Sequence, residues 1–308
     1  MTASSVPAGI GTTPSAPPAP LVTARSGSRA ARLGVRAIAL GYLGLILALP
    51  VLMIFFRTFE HGLEPVLKAL TRPAFLHAFW LTLLITAIVV PVNTVFGIIA
   101  ALVMVRRKFR GKGILNALID LPFALSPVVI GLSLVLVYGK NGWFGPLLGD
   151  LGIQVIFALP GMVLATIFVS LPFVVREVMP VLREIGTDQE EAAYTLGASR
   201  WRAFWRVTLP SIRWGVVYGV ILTTARALGE FGAVSIVSGK LSGKTETLTL
   251  NVEERYESFD MVGAYTASIV LALMALAVLL AMQAYQSGMF HRRSSDGHPG
   301  QAADQAVR

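Results

Sequence analysis

Six apolar runs, each long enough to cross a bilayer as a helix, constrain this chain more than any other feature. They lie near Ala37–Phe56, Phe79–Val105, Leu115–Tyr138, Gln154–Val175, Gly215–Val237 and Val262–Gln286. About 20 helical residues span the hydrocarbon. The runs lack the alternation of a membrane barrel, and only helices and closed barrels satisfy every backbone polar group in lipid. Composition agrees, because 14% of the 308 residues are charged, against about 25% in soluble domains. The expectation is an all-α integral membrane protein: six transmembrane helices within residues 37–286, a disordered tail at 1–36 and a polar tail at 287–308.

Basic residues set the orientation. Arg25, Arg29, Arg32 and Arg36 in the first tail, and Arg106, Arg107, Lys108, Arg110 and Lys112 in the second loop, have no acid among them. The loop between the fourth and fifth runs adds Arg176, Arg183, Arg200, Arg202, Arg206 and Arg213. The alternate loops hold fewer. The positive-inside rule therefore places both termini and the 187–210 loop in the cytoplasm of a multi-pass prokaryotic cell membrane protein. This bias also accounts for the net charge of +9, so a nucleic-acid partner is not expected. Trp80, Trp143, Trp201, Trp205 and Trp214 stand at or just beyond run ends, as interfacial anchors do. With no cysteine, disulfides and thiol chemistry are excluded. Residues 25–36 and the following run look like a signal peptide, but the run is too long and lacks a small-residue cleavage site, so it reads as a retained first span.

Several runs carry breakers. Pro91 with Asn93 and Thr94 interrupts the second, Pro122, Ser126, Pro127 and Gly131 the third, and Pro160, Gly161 and Pro172 the fourth. Close packing through kinks and small residues is one reading; broken helices lining a path is the other.

The loop before the fifth run is organised. Thr187 and Glu190 have capping-box spacing, and Asp188, Glu190 and Glu191 crowd the first turn, where the helix dipole favours negative charge. Ala192, Ala193 and Leu196 form a small apolar face, and Gly197 suits a left-handed C-cap. A second helix is expected from Ser199 through Trp201 and Trp205 to Thr208, ended by Leu209-Pro210. An ordinary amphipathic surface helix is the plain alternative.

Glu191-Ala192-Ala193, Gly197, Val207 and Leu209-Pro210 at these spacings resemble the EAA loop of binding-protein-dependent ABC importer permeases, with Val207 where isoleucine is usual. Asp120-Leu-Pro-Phe-Ala-Leu-Ser-Pro-Val-Val-Ile-Gly131, the stretch Pro160–Glu177 and Ala225-Arg-Ala-Leu-Gly-Glu-Phe-Gly-Ala233 are similar to the CysW-type permeases of sulfate/thiosulfate importers. The resemblance covers most of residues 37–286. It implies a MetI-like permease domain in which Glu190, Glu191, Ala192, Ala193, Leu196, Gly197, Leu209 and Pro210 couple to an ATPase. It further implies a CysA-type ATP-binding subunit, a CysT-type second permease subunit and an external sulfate/thiosulfate-binding protein. ATP hydrolysis would then belong to the separate subunit, with no cofactor or metal on this chain. Molybdate and tungstate are tetrahedral dianions too, and stay open as substrates.

Within the fifth run Arg226 and Glu230 are four residues apart, on one face of a continuous helix. Either they form a structural ion pair, since arginine at mid-membrane costs about 2.5–3.5 kcal/mol, or Arg226 lends positive potential to the path of a dianion. Asn93, Thr94, Ser126, Thr223 and Thr224 are the candidate neutral donors for that path. Asp120, shallow in the third run, is expected to cap or pair. Ser238–Thr245 looks like a phosphate loop, but Ser238 replaces its first glycine and no strand-and-helix unit surrounds it. An intramembrane enzyme would need paired aspartates, a His-Glu-x-x-His helix or a Ser/His pair; His61, His77, His291 and His298 lie outside the runs. A channel or proton-coupled carrier would not need the organised loop.

Overall fold

The computed structural model describes residues 29–60 and 62–295. The chain divides into two compact units, residues 1–51 and 52–308. In the first, α1 (Arg29–Leu43) widens into a π turn at Gly44–Ala48; α2 (Leu49–Phe59) begins there and lies mostly in the second. Helix therefore begins inside the segment expected as a disordered tail; residues 1–28 lie outside the described residues, as do His61 and His298.

The second unit continues with α3 (Leu63–Leu70), α4 (Pro73–Arg106), α5 (Lys112–Ala124), α6 (Pro127–Tyr138), α7 (Gly145–Asp150) and α8 (Leu159–Glu184). After these come α9 (Asp188–Thr195), α10 (Arg200–Ala203), a second π turn at Phe204–Thr208, α11 (Leu209–Leu228), α12 (Gly232–Val237), α13 (Leu248–Glu257) and α14 (Met261–Ser295).

Helix α8 is the centre of this unit. Val174 is fully buried on it, held between two glycines that admit close approach. A Cβ at Gly97 of α4 would lie 2.5 Å from the Val174 Cβ, and one at Gly219 of α11 would lie 2.7 Å from the Val174 Cα. Without a hydrophobic drive between helices in lipid, such small-residue contacts carry the packing. Around them Met104, Val175, Val178, Met179, Leu182 and Ile212 close one core cluster. A second forms where α12 meets α6 and α8, through Ile130, Ala165, Val169, Ala233, Val234 and Val237.

Among the described residues, four helices are long and apolar enough to cross a membrane: Leu33–Phe59, Pro73–Arg106, Leu159–Glu184 and Met261–Ala281. The third expected run is not one straight helix. It is α5 and α6, bent by 114° at the Leu125-Ser126 break, and counting the pair as one span gives five. Pro127 causes the break: it forces the preceding residue into extended backbone (Ser126 ψ 136°) and serves as the first residue of α6. The fourth run is shifted. Its helix starts at Leu159, with Pro160 in the first turn, because residues 154–158 fold as a turn rather than a helix. The fifth run is also discontinuous, since α11 stops at Leu228 and α12 starts at Gly232.

The expectation that Leu209-Pro210 ends a helix is corrected. Helix continues from Arg200 to Leu228 through the π turn, where the Leu209 amide donates to the Phe204 carbonyl five residues back. A proline inside a regular helix clashes with the carbonyl four residues earlier and offers it no N–H. One extra residue in the preceding turn relieves both problems. Leu49-Pro50 follows a π turn in the same way, the Leu49 amide donating to the Gly44 carbonyl.

Candidate functional site

The charged loop folds as an uncovered helix on a short stalk. Gly186 adopts a left-handed φ of 62° and turns the chain from α8 into α9. Asp188, Glu190 and Glu191 occupy the first turn of α9, where they complement the dipole. The C-terminus is a Schellman turn: the Gly197 amide donates to Tyr194 and the Ala198 amide to Ala193, both at 2.9 Å. Gly197 sits at φ 84°, a conformation open to glycine at little cost. Ser199 then caps α10, its hydroxyl accepting from the Arg202 amide. No residue of α9 is buried. Glu191 and Ala192 are exposed, Ala193 is half-buried, and Leu196, an apolar side chain, is 88% exposed.

The capping box does not form, which corrects the sequence reading. Thr187 makes no cap and donates instead to the Glu191 carboxylate at 2.8 Å. Glu190 Oε1 accepts from Arg106 Nη2 at 2.9 Å and from Thr208 Oγ1 at 3.0 Å. A guanidinium is a stronger donor than a backbone amide, so the carboxylate turns towards α4. Arg106 also donates to the Leu182 carbonyl. Glu190 thus braces α9 against the end of α4 and against the second π turn. Arg106 and Thr208 were missed by sequence reasoning as partners of this loop. Leu209 packs into the core around α8 and α11, and Pro210 is exposed at the start of α11. Neither belongs to the surface of α9 itself.

The residues expected along a path divide by burial. Asn93 is fully buried and locks α4 to α8, donating to the Ile167 carbonyl and to Ser170 Oγ at 3.1 and 2.9 Å. Thr223 is fully buried. Thr94 and Thr224 are half-buried and turn their hydroxyls back onto Val90 and Val220 of their own helices. Ser126 is exposed at the α5–α6 break and makes no side-chain cap.

Arg226 and Glu230 do pair, at 2.7 Å, but they do not share one helix face. Glu230 follows the end of α11 and its Oε1 accepts from the Ala233 amide in the first turn of α12. Its carbonyl accepts from Thr249 Oγ1 on α13. The side chain is 2% exposed, against 28% for Arg226. One carboxylate therefore neutralises the last-turn arginine of one half-helix and caps the next. Helix α12 packs on α6 through glycines: a Cβ at Gly131 would lie 2.7 Å from the Ala233 carbonyl oxygen, and one at Gly232 would lie 2.9 Å from Pro127. The two breaks thus lie against each other.

Asp120 pairs across helices, accepting from Arg176 Nε at 2.7 Å and from its terminal nitrogen, with Asn116 beside them. The phosphate-loop lookalike follows a helix, not a strand. Its own groups close it: the Ser238 carbonyl accepts from Thr245 Oγ1, and Lys240 pairs with Glu253. At the α13–α14 turn, Asp260 accepts from the Gly263 amide and pairs with Arg72 and Arg255. Burial pushes its carboxyl up, but the Arg72 bond, the amide and the two positive charges outweigh that and hold it below the usual aspartate range.

With this geometry established, similarity to known proteins is specific. Residues 93–291 match the family described as binding-protein-dependent transport system inner membrane component. The sulfate transport system permease protein CysW of Synechocystis sp. is 51% identical over 258 residues, covering 84% of this chain and 94% of that protein. Its counterpart in Escherichia coli (strain K12) is 52% identical over 234 residues, 76% of this chain and 80% of that one. In three dimensions the chain resembles a bacterial alginate ABC transporter solved with its periplasmic protein, with a TM-score of 0.69 at 17% identity, over 82% of this chain and 92% of that one. That likeness concerns the fold. The exposed α9, the breaks at Ser126 and Gly229, and these relatives together identify the chain as a multi-pass membrane permease that belongs to the binding-protein-dependent transport system inner membrane components, in their CysW branch.

Proposed function

We propose that the chain is one of two permease subunits of an ATP-driven sulfate/thiosulfate importer, and that α9 is the helix its ATPase grips. The observation that carries this reading is α9: a helix with no buried residue, ending on a bare Leu196, yet braced at its base through Glu190. A helix with nothing to cover in its own chain, anchored to the ends of α4 and α8, can pass a push from a soluble motor to the spans. In this reading the broken runs complete six spans, both termini and α9 face the cytoplasm, and the partners are a CysA-type ATPase, a CysT-type permease and an external binding protein. Sulfate comes from the CysW relatives at 51 and 52% identity.

The coupling residues are then Glu190, Glu191, Ala192, Ala193, Leu196 and Gly197, with Leu209-Pro210 setting the helix that follows. Arg226, neutralised on one side by Glu230 and partly open on the other, supports attraction of a dianion without trapping it. The test is labelled-sulfate uptake in a deletion strain, with molybdate as competitor, alongside co-purification of the ATPase. Glu191→Arg is expected to abolish both uptake and ATPase association. Retention of both overturns the docking role of α9, and loss of molybdate import with sulfate import untouched overturns the substrate.

A further inference from the structure

A cleft of about 520 Å³ opens beside the base of α9, where the end of α4 meets α9, α10 and the second π turn. Its wall changes character along α4. Ile99, Leu102 and Val103 form the apolar end, and Arg106, Arg107 and Arg200 the basic end, with the Thr187 and Tyr194 hydroxyls beside them. The two unpaired cations of the cleft are Arg107 and Arg200. Both are exposed, and among the described residues neither guanidinium has an ion pair or hydrogen bond. Of the acids in the same cleft, Glu190 is paired with Arg106, while Glu191 only accepts from the neutral Thr187 hydroxyl and keeps its charge, so three arginines face two carboxylates. The cleft thus keeps a net positive charge of one, carried by guanidinium groups that have no partner of their own.

The apolar end does not stop at the cleft. Val92, Val95, Phe96, Ile99 and Val103 are exposed on α4, at spacings that place them on one helix face. This track leads from the middle of the span down to the arginines. An apolar track ending in unpaired arginines at the level of a basic loop matches the shape and charge of a phospholipid with an anionic headgroup. Neither a soluble anion, which would not need the track, nor a zwitterionic lipid, which would not need the cations, fits both ends.

We propose that this cleft is a binding site for an anionic phospholipid, with its phosphate between Arg107 and Arg200 and an acyl chain along the α4 track. The lipid touches the same π turn and the same α9 base that Glu190 braces, so its occupancy stiffens the joint between the docking helix and the spans. The site's position at the inner membrane edge rests on the orientation proposed above; the binding measurement does not.

The test is native mass spectrometry of the full transporter complex in detergent, titrated with phosphatidylglycerol or phosphatidylcholine. Phosphatidylglycerol should be retained preferentially. Each arginine near the surface contributes about fivefold, so Arg107→Gln with Arg200→Gln should weaken retention about twenty-five-fold. Lys108→Gln with Arg110→Gln, outside the cleft, should leave it unchanged. Ile99→Asn keeps both cations while roughening the track and should lower retention, which keeps the idea testable if the arginine variant fails to assemble. Equal retention of the two lipids, or of wild type and arginine variant, overturns the site. Displacement of the lipid by millimolar sulfate or inorganic phosphate overturns it in favour of a free-anion site. ATPase co-purification is scored on the same samples, so a failed lipid site and a failed docking helix give different results.

Discussion

Replacing Glu190 by glutamine should loosen α9 from the bundle by an amount the structure lets one bound. The Glu190–Arg106 pair is 2.9 Å long, with side chains 13% and 16% exposed. It therefore lies between an exposed ion pair, worth up to about 1 kcal/mol, and a buried one, whose breaking costs about 3–5 kcal/mol. A loss of about 2 kcal/mol corresponds to a roughly thirtyfold shift between held and released α9. The chain has no cysteine, so a single introduced thiol reports without background. Thr208→Cys places it under Glu190, where the native residue is 4% exposed; because Thr208 is itself a donor to Glu190, every variant is compared within this background, and the relative rate of maleimide labelling follows the released fraction. Glu190→Gln should raise that rate about thirtyfold, Arg106→Gln should do the same, and the double variant should be no faster than either. A thiol at Ala267, fully buried on α14, should keep its slow labelling, which separates local release from unfolding. A change below threefold in Glu190→Gln, or additive effects of the two substitutions, refutes the brace.

Gly219→Ala would press a methyl to 2.7 Å of the Val174 backbone and should cost about 1–3 kcal/mol, seen as a lower melting temperature in detergent, whereas Gly113→Ala meets open space and should be neutral. Glu230→Ala strands Arg226 and uncaps α12, so assembled protein should fall sharply, while Arg226→Gln should insert normally and slow uptake; a wild-type rate removes Arg226 from the path. Asp260 has a folded pKa below its unfolded value, so its contribution is fully present above about pH 4 and is lost as pH falls through the folded pKa. Asp260→Asn should therefore lower thermal stability at pH 7, with the difference from wild type shrinking at acid pH; a constant gap from pH 7 to 3 contradicts this.

The first, second and last apolar runs and the α9 helix were legible in the sequence because they follow from local signals: apolar length, first-turn acids, Gly197 after the last helical residue. The breakers at Ser126-Pro127 were visible too, but their 114° consequence was not. A proline marks where a helix is interrupted, whereas the angle is set by what α6 packs on, here α12. Leu209-Pro210 misled for a related reason. Proline breaks a regular helix, and no local pattern announces that the turn before it will take in one more residue. The brace was hidden by distance along the chain, 84 residues from Arg106 to Glu190. Arg106 was counted among loop charges for orientation, and nothing in a run of basic residues says which of them turns inward. Likewise Arg226 and Glu230 have helical spacing, but Gly229 ends the helix between them.

The wide turn at Phe204–Thr208 fixes the azimuth of everything after it. One residue of helix is about 100° of rotation, so the extra residue sets which side of α11 meets α8. Deleting a single residue there, Val207 for instance, would swing the Gly215 and Gly219 ridge by roughly that angle and offer bulkier side chains to Val174. The turn acts as a phase shifter between α9 and α11, which in the proposed coupling are the helix held by the motor and the span it moves, and its proline keeps the added residue from sliding away down the helix.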